Sequence, residues 1–185
     1  MSMLRLKPEG FAFFDTAIGR CGIAWTERGV CGVQIPEGDE ASTRAGLLRR
    51  WPDTPEETPP PGVAEVIERC VALMEGEAVD FADCQLDLRG TSEFERQVYS
   101  AALAIPPGQT LTYGEIAEQI GSHGAARAVG AALGANPVPI VVPCHRVTGA
   151  NGRSGGFSAP GGAKTKLRML AIERGGAPTP EGQLL

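Results

Sequence analysis

The sequence predicts an α+β fold, in which a small N-terminal domain of strands and helices precedes a mainly helical C-terminal domain with a helix-turn-helix. Three observations predict it. Short β-type runs separated by glycines fill residues 11–35, an amphipathic helical pattern fills residues 63–75, and two short helical segments flank a glycine-containing turn at residues 121–124. We expect the N-terminal domain at 1–90, the C-terminal domain at 91–176 and a flexible tail at 177–185.

The N-terminal domain opens with a predicted meander of about three strands. Gly19 and Gly29 separate the apolar runs between residues 11 and 35, and Pro36 ends the last run. A helix is predicted over 41–51, followed by a proline-rich loop.

A second amphipathic helix is predicted over Val63–Glu75, because its apolar residues recur at helical spacing and Gly76 stops the pattern. Apolar and polar residues then alternate over Phe81–Leu88, which predicts a strand.

The C-terminal domain begins with a helix predicted over Thr91–Leu103. Thr112 and Glu115 have the spacing of a capping box, which predicts the start of a helix that ends near Ile120. A further helix is predicted over 125–133. After a long glycine-rich loop, a last helix is predicted over 163–174.

The helix over 125–133 is built almost entirely of small residues and displays one large charged side chain, Arg127. Small side chains let a helix approach another surface closely. That surface could be an external partner, or a second helix inside the protein core, and the composition alone leaves both interpretations open.

Charge is distributed unevenly along the 185 residues. The formal net charge is −5, but residues 1–90 hold 16 acidic and 9 basic side chains, whereas residues 91–185 hold 6 and 8. The second half is therefore mildly basic, which fits modest and salt-sensitive affinity for phosphate groups. No apolar run approaches the length of a membrane span, and no signal peptide is recognisable, so we expect a cytoplasmic protein without membrane contact.

The cysteines do not predict a disulfide framework or a metal site. They are odd in number, widely spaced and without a Cys-x-x-Cys pair. With two histidines in the chain, no conventional ligand set can be assembled, so neither a metal nor another cofactor is expected. The cysteines are Cys21, Cys31, Cys70, Cys84 and Cys144.

The segment Ile140–Val147 carries the clearest chemical signal. Its apolar, β-branched beginning predicts a strand that stops at Pro143, which puts Cys144 at a turn beside His145 and Arg146. An ordinary thiol has a pKa of about 8.5 and needs a base or a positive field to become a nucleophile at neutral pH. The pattern indicates such a nucleophile, although a buried and inert cysteine would give the same pentapeptide.

Further motifs around this segment resemble the O6-alkylguanine-DNA alkyltransferases, also called methylated-DNA–protein-cysteine methyltransferases. The resemblance runs from about Phe94 to Glu173, nearly half of the chain. The motifs that carry it are Tyr113–Gly114, Arg127–Gly130, Asn136–Pro137, Pro143–Val147, Gly155–Ser158 and Glu173.

The resemblance implies single-turnover repair of DNA. Cys144 would take the alkyl group from guanine O6 as a stable thioether, and His145 would act as general base through a water. Glu173 would orient the imidazole, and Tyr113 would donate a proton to the departing guanine. No cofactor is implied; some relatives carry a zinc ion in their N-terminal part, for which this sequence offers no ligands.

The resemblance also implies a set of substrate contacts. Asn136 would brace the turn before the active-site cysteine, and the carbonyls of Cys144 and Val147 would accept from the exocyclic amine of guanine. The backbone around Ser158 would hydrogen-bond O6. Phe157 stands where many relatives have tyrosine, so it would wall the pocket without a hydroxyl group.

Duplex DNA containing O6-alkylguanine is the implied partner, bound by a monomer that could assemble cooperatively along DNA. The helix-turn-helix would bind DNA by placing its second helix in the minor groove, with Arg127 filling the space of the flipped nucleotide. The small residues around it that would face the DNA are Ala126, Ala128, Gly130 and Ala131.

Alternative functions from other classes remain open at this point. Alkyltransferase-like proteins recognise alkylated DNA without repairing it, but they lack the pocket cysteine. A helix-turn-helix transcription factor would leave Cys144 and Glu173 unexplained. A thiol hydrolase would need an oxyanion hole that the sequence does not indicate.

Overall fold

A computed structural model of the protein describes residues 6–150 and 162–175. The predicted meander is confirmed as an antiparallel sheet in the order β1 (Gly10–Thr16), β2 (Gly19–Thr26) and β3 (Gly29–Gln34). Gly29 has a φ of +143°, and a Cβ there would lie 2.4 Å from the Gln85 carbonyl oxygen. Glycine at this turn therefore lets the following loop lie directly against the sheet.

Two helices follow the sheet, as predicted. Asp39 caps the first helix, α1 (Glu40–Arg50), by accepting from the Ser42 amide. The second helix, α2 (Pro61–Met74), buries its apolar stripe against the sheet. The stripe consists of Val63, Val66, Cys70, Leu73 and Met74.

The strand predicted over Phe81–Leu88 is wrong. This segment is a loop that meets β3 at a single bridge, between Val30 and Leu86. Its backbone turns at residue 81, where the Cys84 amide donates to the Phe81 carbonyl, and Arg69 of α2 binds the Asp83 carboxylate. Hydrogen bonds within the turn and the Arg69 side chain thus hold this segment, in place of most of the strand-to-strand hydrogen bonds that the alternating pattern predicted.

The C-terminal part is a cluster of short helices. Both α3 (Glu93–Leu103) and α4 (Tyr113–Gln119) begin with complete capping boxes, the second at the predicted Thr112–Glu115 pair. A turn connects α4 to α5 (Ala126–Gly134), so the predicted helix, turn and helix are present. The Tyr99 hydroxyl of α3 donates to a carbonyl of α5 over 2.7 Å and joins the cluster.

The strand predicted before Pro143 is also wrong. Residues 140–142 form a buried turn, in which the Val142 amide donates to the Val138 carbonyl and Ile140 has a φ of +75°. Prolines at 137, 139 and 143 lack the N–H groups that a strand would need for pairing. The strand lies after the cysteine instead, where β5 (Val147–Thr148) pairs in parallel with β4 (Leu111–Thr112).

The last described helix, α6 (Gly162–Glu173), returns to the site region and packs against α2 and the turn that contains Cys144. One continuous hydrophobic cluster runs from the sheet through α2 to the C-terminal helices. The domain boundary at residue 90 stays a prediction. Within residues 6–150 and 162–175, no helix has the length and apolar character needed to cross a membrane.

Candidate active site

Cys144 opens a single 3₁₀ turn, Cys144–Arg146, just before β5. Its amide donates to the Val142 carbonyl over 2.7 Å, and the residue is 4% exposed. Tight backbone bonds on both sides therefore hold the thiol at a defined position, close to but not on the surface.

Asn136 braces this segment, as expected. Its side-chain amide donates to the Val142 carbonyl over 2.9 Å, and its oxygen accepts from the Val138 amide over 3.0 Å. The same side chain counteracts the rise in the pKa of the Cys144 thiol. One asparagine thus fixes the turn and influences the sulfur.

His145 and Glu173 meet inside the protein, although 28 residues separate them. The His145 Nε2 atom lies 2.5 Å from Glu173 Oε1, and both side chains are fully buried. Arg146 donates to both oxygens of the same carboxylate over 2.8 and 2.9 Å and to the Ile105 carbonyl over 2.7 Å. The carboxylate therefore sits between an imidazole and a guanidinium.

These contacts define the protonation states. Burial alone would raise the pKa of Glu173, but hydrogen bonds from His145 and Arg146 overcome this and lower it to about 2. Burial lowers the pKa of His145, so the imidazole is neutral at pH 7. An ionised carboxylate accepts hydrogen bonds only, so the proton lies on Nε2 and Nδ1 carries a lone pair. Among the described residues, Nδ1 has no hydrogen-bond partner.

Burial raises the pKa of the Cys144 thiol, against lowering contributions from Asn136 and from the Lys166 ammonium. The resting side chain is therefore a protonated thiol. A neighbouring base with an unused lone pair is what such a thiol needs to become a nucleophile. The Asn136 amide and the Lys166 ammonium both act on the thiol, which favours a functional cysteine over an inert one.

The sequence analysis did not identify Lys166 as a residue of the site. It is 1% exposed, its ammonium donates to the Val147 carbonyl over 2.6 Å, and it lies 5.8 Å from the centre of the Tyr113 ring. Burial lowers its pKa to about 8. Its position three and four residues before the buried Met169 and Leu170 of α6 was the available signal, since a lysine on a buried stripe requires a partner.

Tyr113 is the first residue of α4 and is half-buried beside the site. Burial and the nearby Cys144 raise the pKa of its hydroxyl, so it stays protonated and can donate. Of the other predicted substrate residues, Val147 is buried directly after the 3₁₀ turn. Phe157 and Ser158 lie outside the described residues.

The predicted DNA-facing residues of α5 are on the surface, whereas the small Ala132 is buried. Arg127, Ala128 and Ala131 are exposed, and Ala126 and Gly130 are partly so, while Val129 on the opposite face is buried. A Cβ added at Gly130 would meet no atom within 4 Å. The packing interpretation therefore does not apply to this face, because nothing in the described protein requires its residues to be small.

In the part of the chain that the structure describes, no cluster of His, Cys, Asp or Glu side chains could hold a metal ion. The buried Cys21 and Cys31 lie within the strands, where burial raises each thiol pKa to about 12. Cys144 differs from them in that the adjacent His145 has a ring nitrogen without a hydrogen-bond partner among the described residues.

Comparison with known proteins agrees with this site. The family described as 6-O-methylguanine DNA methyltransferase, DNA binding domain, matches residues 93–175. A methylated-DNA–protein-cysteine methyltransferase from Mycolicibacterium paratuberculosis is 43% identical over 164 residues, which cover 89% of this chain and 92% of that protein. A relative of the same name from Methanosarcina acetivorans is 37% identical over 88% of this chain and 97% of its own length.

Solved structures give the same result. The fold is similar to that of Mycobacterium tuberculosis OGT in complex with DNA, with a TM-score of 0.73 and 38% identity over 92% of this chain and 96% of that one. It is also similar to the O6-methylguanine-DNA methyltransferase of Pyrococcus kodakaraensis, with a TM-score of 0.70 and 26% identity. This match covers 88% of this chain and 98% of that one. The site contains a buried cysteine, histidine and glutamate, and the matches cover most of this chain and of each relative. The chain therefore belongs to the methylated-DNA–protein-cysteine methyltransferase family.

Proposed function

We propose that this protein repairs O6-alkylguanine in double-stranded DNA by transferring the alkyl group directly to Cys144. The observation that carries the proposal is the buried Cys144 thiol beside a neutral imidazole, whose orientation Glu173 fixes at 2.5 Å. A thiol, a base and a fixed carboxylate supply the groups that displacement at an alkyl carbon requires.

The reaction balances without a cofactor. His145 Nδ1 accepts the thiol proton through a water, and the Cys144 sulfur then forms a bond to the alkyl carbon while the carbon–O6 bond breaks. Tyr113 donates a proton to the guanine, so the base leaves neutral, and the proton that His145 accepted returns Tyr113 to its neutral form through solvent. The product thioether is stable and no second nucleophile follows, so each protein molecule reacts once.

Guanine recognition follows from the groups around the sulfur. The carbonyls of Cys144 and Val147 accept hydrogen bonds from the exocyclic amine, and Lys166 holds the second carbonyl at 2.6 Å. The backbone at Ser158 donates to O6, and Phe157 walls the pocket. We propose these roles for Phe157 and Ser158 from the sequence motif alone.

A cysteine that is 4% exposed cannot reach a base stacked within a duplex, so the nucleotide must be flipped out. Helix α5 offers the surface for this step. Its small exposed residues allow close approach to the minor groove, and Arg127 is the large side chain that can enter the stack. Ala126, Ala128, Gly130 and Ala131 are the proposed DNA-facing residues.

The recognition-only alternative is less well supported. Backbone hydrogen bonds and Asn136 fix the position of the Cys144 thiol. A protein that only binds alkylated guanine, without repairing it, would not need a thiol at a fixed position. A buried base with an unused lone pair would be equally superfluous.

A substrate in DNA also agrees with the cytoplasmic location that the sequence predicts.

Intact-mass and peptide mass spectrometry tests the proposal. The protein is mixed with excess duplex carrying one O6-methylguanine, and the Cys144→Ala variant serves as the control. We expect a gain of one methyl group on the peptide that contains Cys144, saturating at one per chain. Retained binding to the modified duplex without any mass change would support the recognition-only function instead.

A further inference from the structure

The turn that carries Asn136 is held from outside the C-terminal helices. The Pro137 carbonyl accepts a hydrogen bond from the Val33 amide of β3 over 2.9 Å and another from Arg50 Nη2 over 2.6 Å. Arg50 is the last residue of α1, 87 positions away along the chain. A side chain and a strand of the N-terminal part therefore meet at one carbonyl of the active-site turn.

The contact is a closed ring of hydrogen bonds. Arg50 Nη1 donates to the Val33 carbonyl over 2.9 Å, so its guanidinium bridges the carbonyls of Val33 and Pro137. Strand β3 is at the edge of the sheet, which leaves the outward Val33 amide available for this pairing. The planar fork of arginine suits two acceptors at once, and the single ammonium of lysine does not.

The bridge lies one residue from Asn136, which acts on the active-site cysteine. The Asn136 amide donates to the Val142 carbonyl over 2.9 Å, and the Cys144 amide donates to the same carbonyl over 2.7 Å. Asn136 also lowers the pKa of the Cys144 thiol. Arg50 and Cys144 line the same cavity of about 380 Å³ between the N-terminal part and the turn. A displacement of the Pro137 carbonyl would therefore reach Cys144 through the Asn136 side chain and the Val142 carbonyl.

We infer that Arg50 is a positioning residue of the active site, which fixes the Asn136–Pro137 turn and through it the Cys144 thiol. This inference rests on the proposed function for its effect on alkyl transfer, but not for its effect on the thiol itself. It gives the N-terminal part a role in reactivity. The hydrogen bonds of Arg50 go to Val33, Gln34 and Pro137, so it acts on the thiol through Asn136.

The test compares Arg50→Gln and Arg50→Lys with Arg49→Gln. Arg49 is the matched control, because it is the adjacent arginine of α1 but pairs with Glu37 with 67% of its side chain exposed. Two rates are measured: alkyl transfer from free O6-benzylguanine, which needs no DNA, and iodoacetamide labelling of the peptide that contains Cys144, as a function of pH. Thermal unfolding confirms that each variant is folded.

We expect Arg50→Gln to slow transfer on the order of tenfold, because a small misplacement of a reacting group has large kinetic effects. The labelling midpoint should move to higher pH, since Asn136 lowers the pKa of the thiol and would be displaced. Arg50→Lys should recover part of both effects. Arg49→Gln should match the original protein. A merely structural role for Arg50 would lower the unfolding temperature without moving the labelling midpoint.

A double-variant cycle with Asn136→Ala completes the test. If Arg50 acts through Asn136, the double variant should be about as slow as Asn136→Ala alone, whereas multiplied losses would overturn the inference. An unchanged midpoint in Arg50→Gln, when Asn136→Ala shifts it, would also overturn it. If the original protein transfers no alkyl group, the proposed function fails, but the labelling experiment still decides the role of Arg50.

Discussion

At the scale of single residues, the chemistry depends on which nitrogen of His145 carries the proton. Arg146 and the Gly108 amide add donors to the Glu173 carboxylate and keep it ionised. An ionised Glu173 fixes the Nε2–H form of the imidazole, which leaves Nδ1 as the base. The base is therefore prepared by groups that never touch the sulfur.

Glu173→Gln tests this arrangement. The amide cannot carry a negative charge, and it can turn its NH₂ group toward the ring and stabilise the wrong tautomer. We expect transfer from O6-methylguanine DNA to slow by about 10²-fold, the lower range for loss of a general base. The original protein should keep its rate to a pH below 6.5, because burial lowers the pKa of His145. Single-turnover rates from pH 5 to 9 measure both effects, and identical profiles would remove Glu173 from the mechanism.

Lys166→Met tests the buried lysine. Methionine keeps most of the volume but leaves the Val147 carbonyl without the donor that now lies 2.6 Å away. We expect a loss of about 1–3 kcal/mol of stability, typical of an unsatisfied buried group, and slower transfer to Cys144. Urea unfolding and single-turnover rates measure these effects, with Lys164→Met on the exposed side of α6 as the control. Unchanged transfer would mean that Lys166 stabilises the fold alone.

At the scale of elements, α5 combines a buried face with an exposed face that is kept small. Glycine within a helix is destabilising relative to alanine, and Gly130 has room for a larger residue. An internal packing reason for the glycine is therefore absent from the described structure. Contact with another molecule is the remaining physical reason for accepting this loss of stability.

Gly130→Ala should accordingly have opposite effects on stability and on binding. We expect a gain of about 0.5–1 kcal/mol in the free energy of unfolding, and weaker binding to duplex DNA. Gly62→Ala is the control, since Gly62 lies on α2 with equally open space around it, and it should stabilise without changing DNA affinity. Urea unfolding and fluorescence anisotropy measure the two quantities. Unaltered DNA affinity in Gly130→Ala would argue against minor-groove contact at this position.

At the scale of the whole molecule, the site also joins distant parts of the chain. Glu173 of α6 binds the turn that contains Cys144, and Arg168 of the same helix donates to the Ala17 carbonyl over 2.6 Å. Arg50 connects α1 to Pro137. The groups that prepare the thiol thus contribute to the stability of the whole fold.

This coupling predicts acid sensitivity. The pKa of Glu173 is about 2 in the folded protein against 4.5 for the ordinary group, so the folded state binds its proton more weakly. Its contribution is complete above pH 4.5 and is lost as the pH falls toward 2; it amounts to a few kcal/mol. Urea unfolding at pH 7, 4 and 3 should show this loss, and it should be smaller in Glu173→Gln. Parallel curves for the two proteins would contradict it.

The sequence by itself determined the elements that local signals specify, and it named the candidate reactive groups. The capping box at Thr112 and Glu115 and the glycine-separated meander depend on residues a few positions apart, so they can be read without the fold. The motif around Cys144 indicated the candidate nucleophile and its partners through the family resemblance. Phe157 and Ser158 stay predictions, as do the domain boundaries.

The tertiary structure alone decided how those groups are arranged. The β-branched residues before Pro143 form a buried turn and not a strand, because prolines remove the pairing amides and Asn136 supplies a local bond. The burial of Lys166 and the bridge from Arg50 to Pro137 join residues 19 and 87 positions apart. Such contacts arise from packing between elements, which no local pattern encodes, and they hold the backbone on both sides of Cys144 in place.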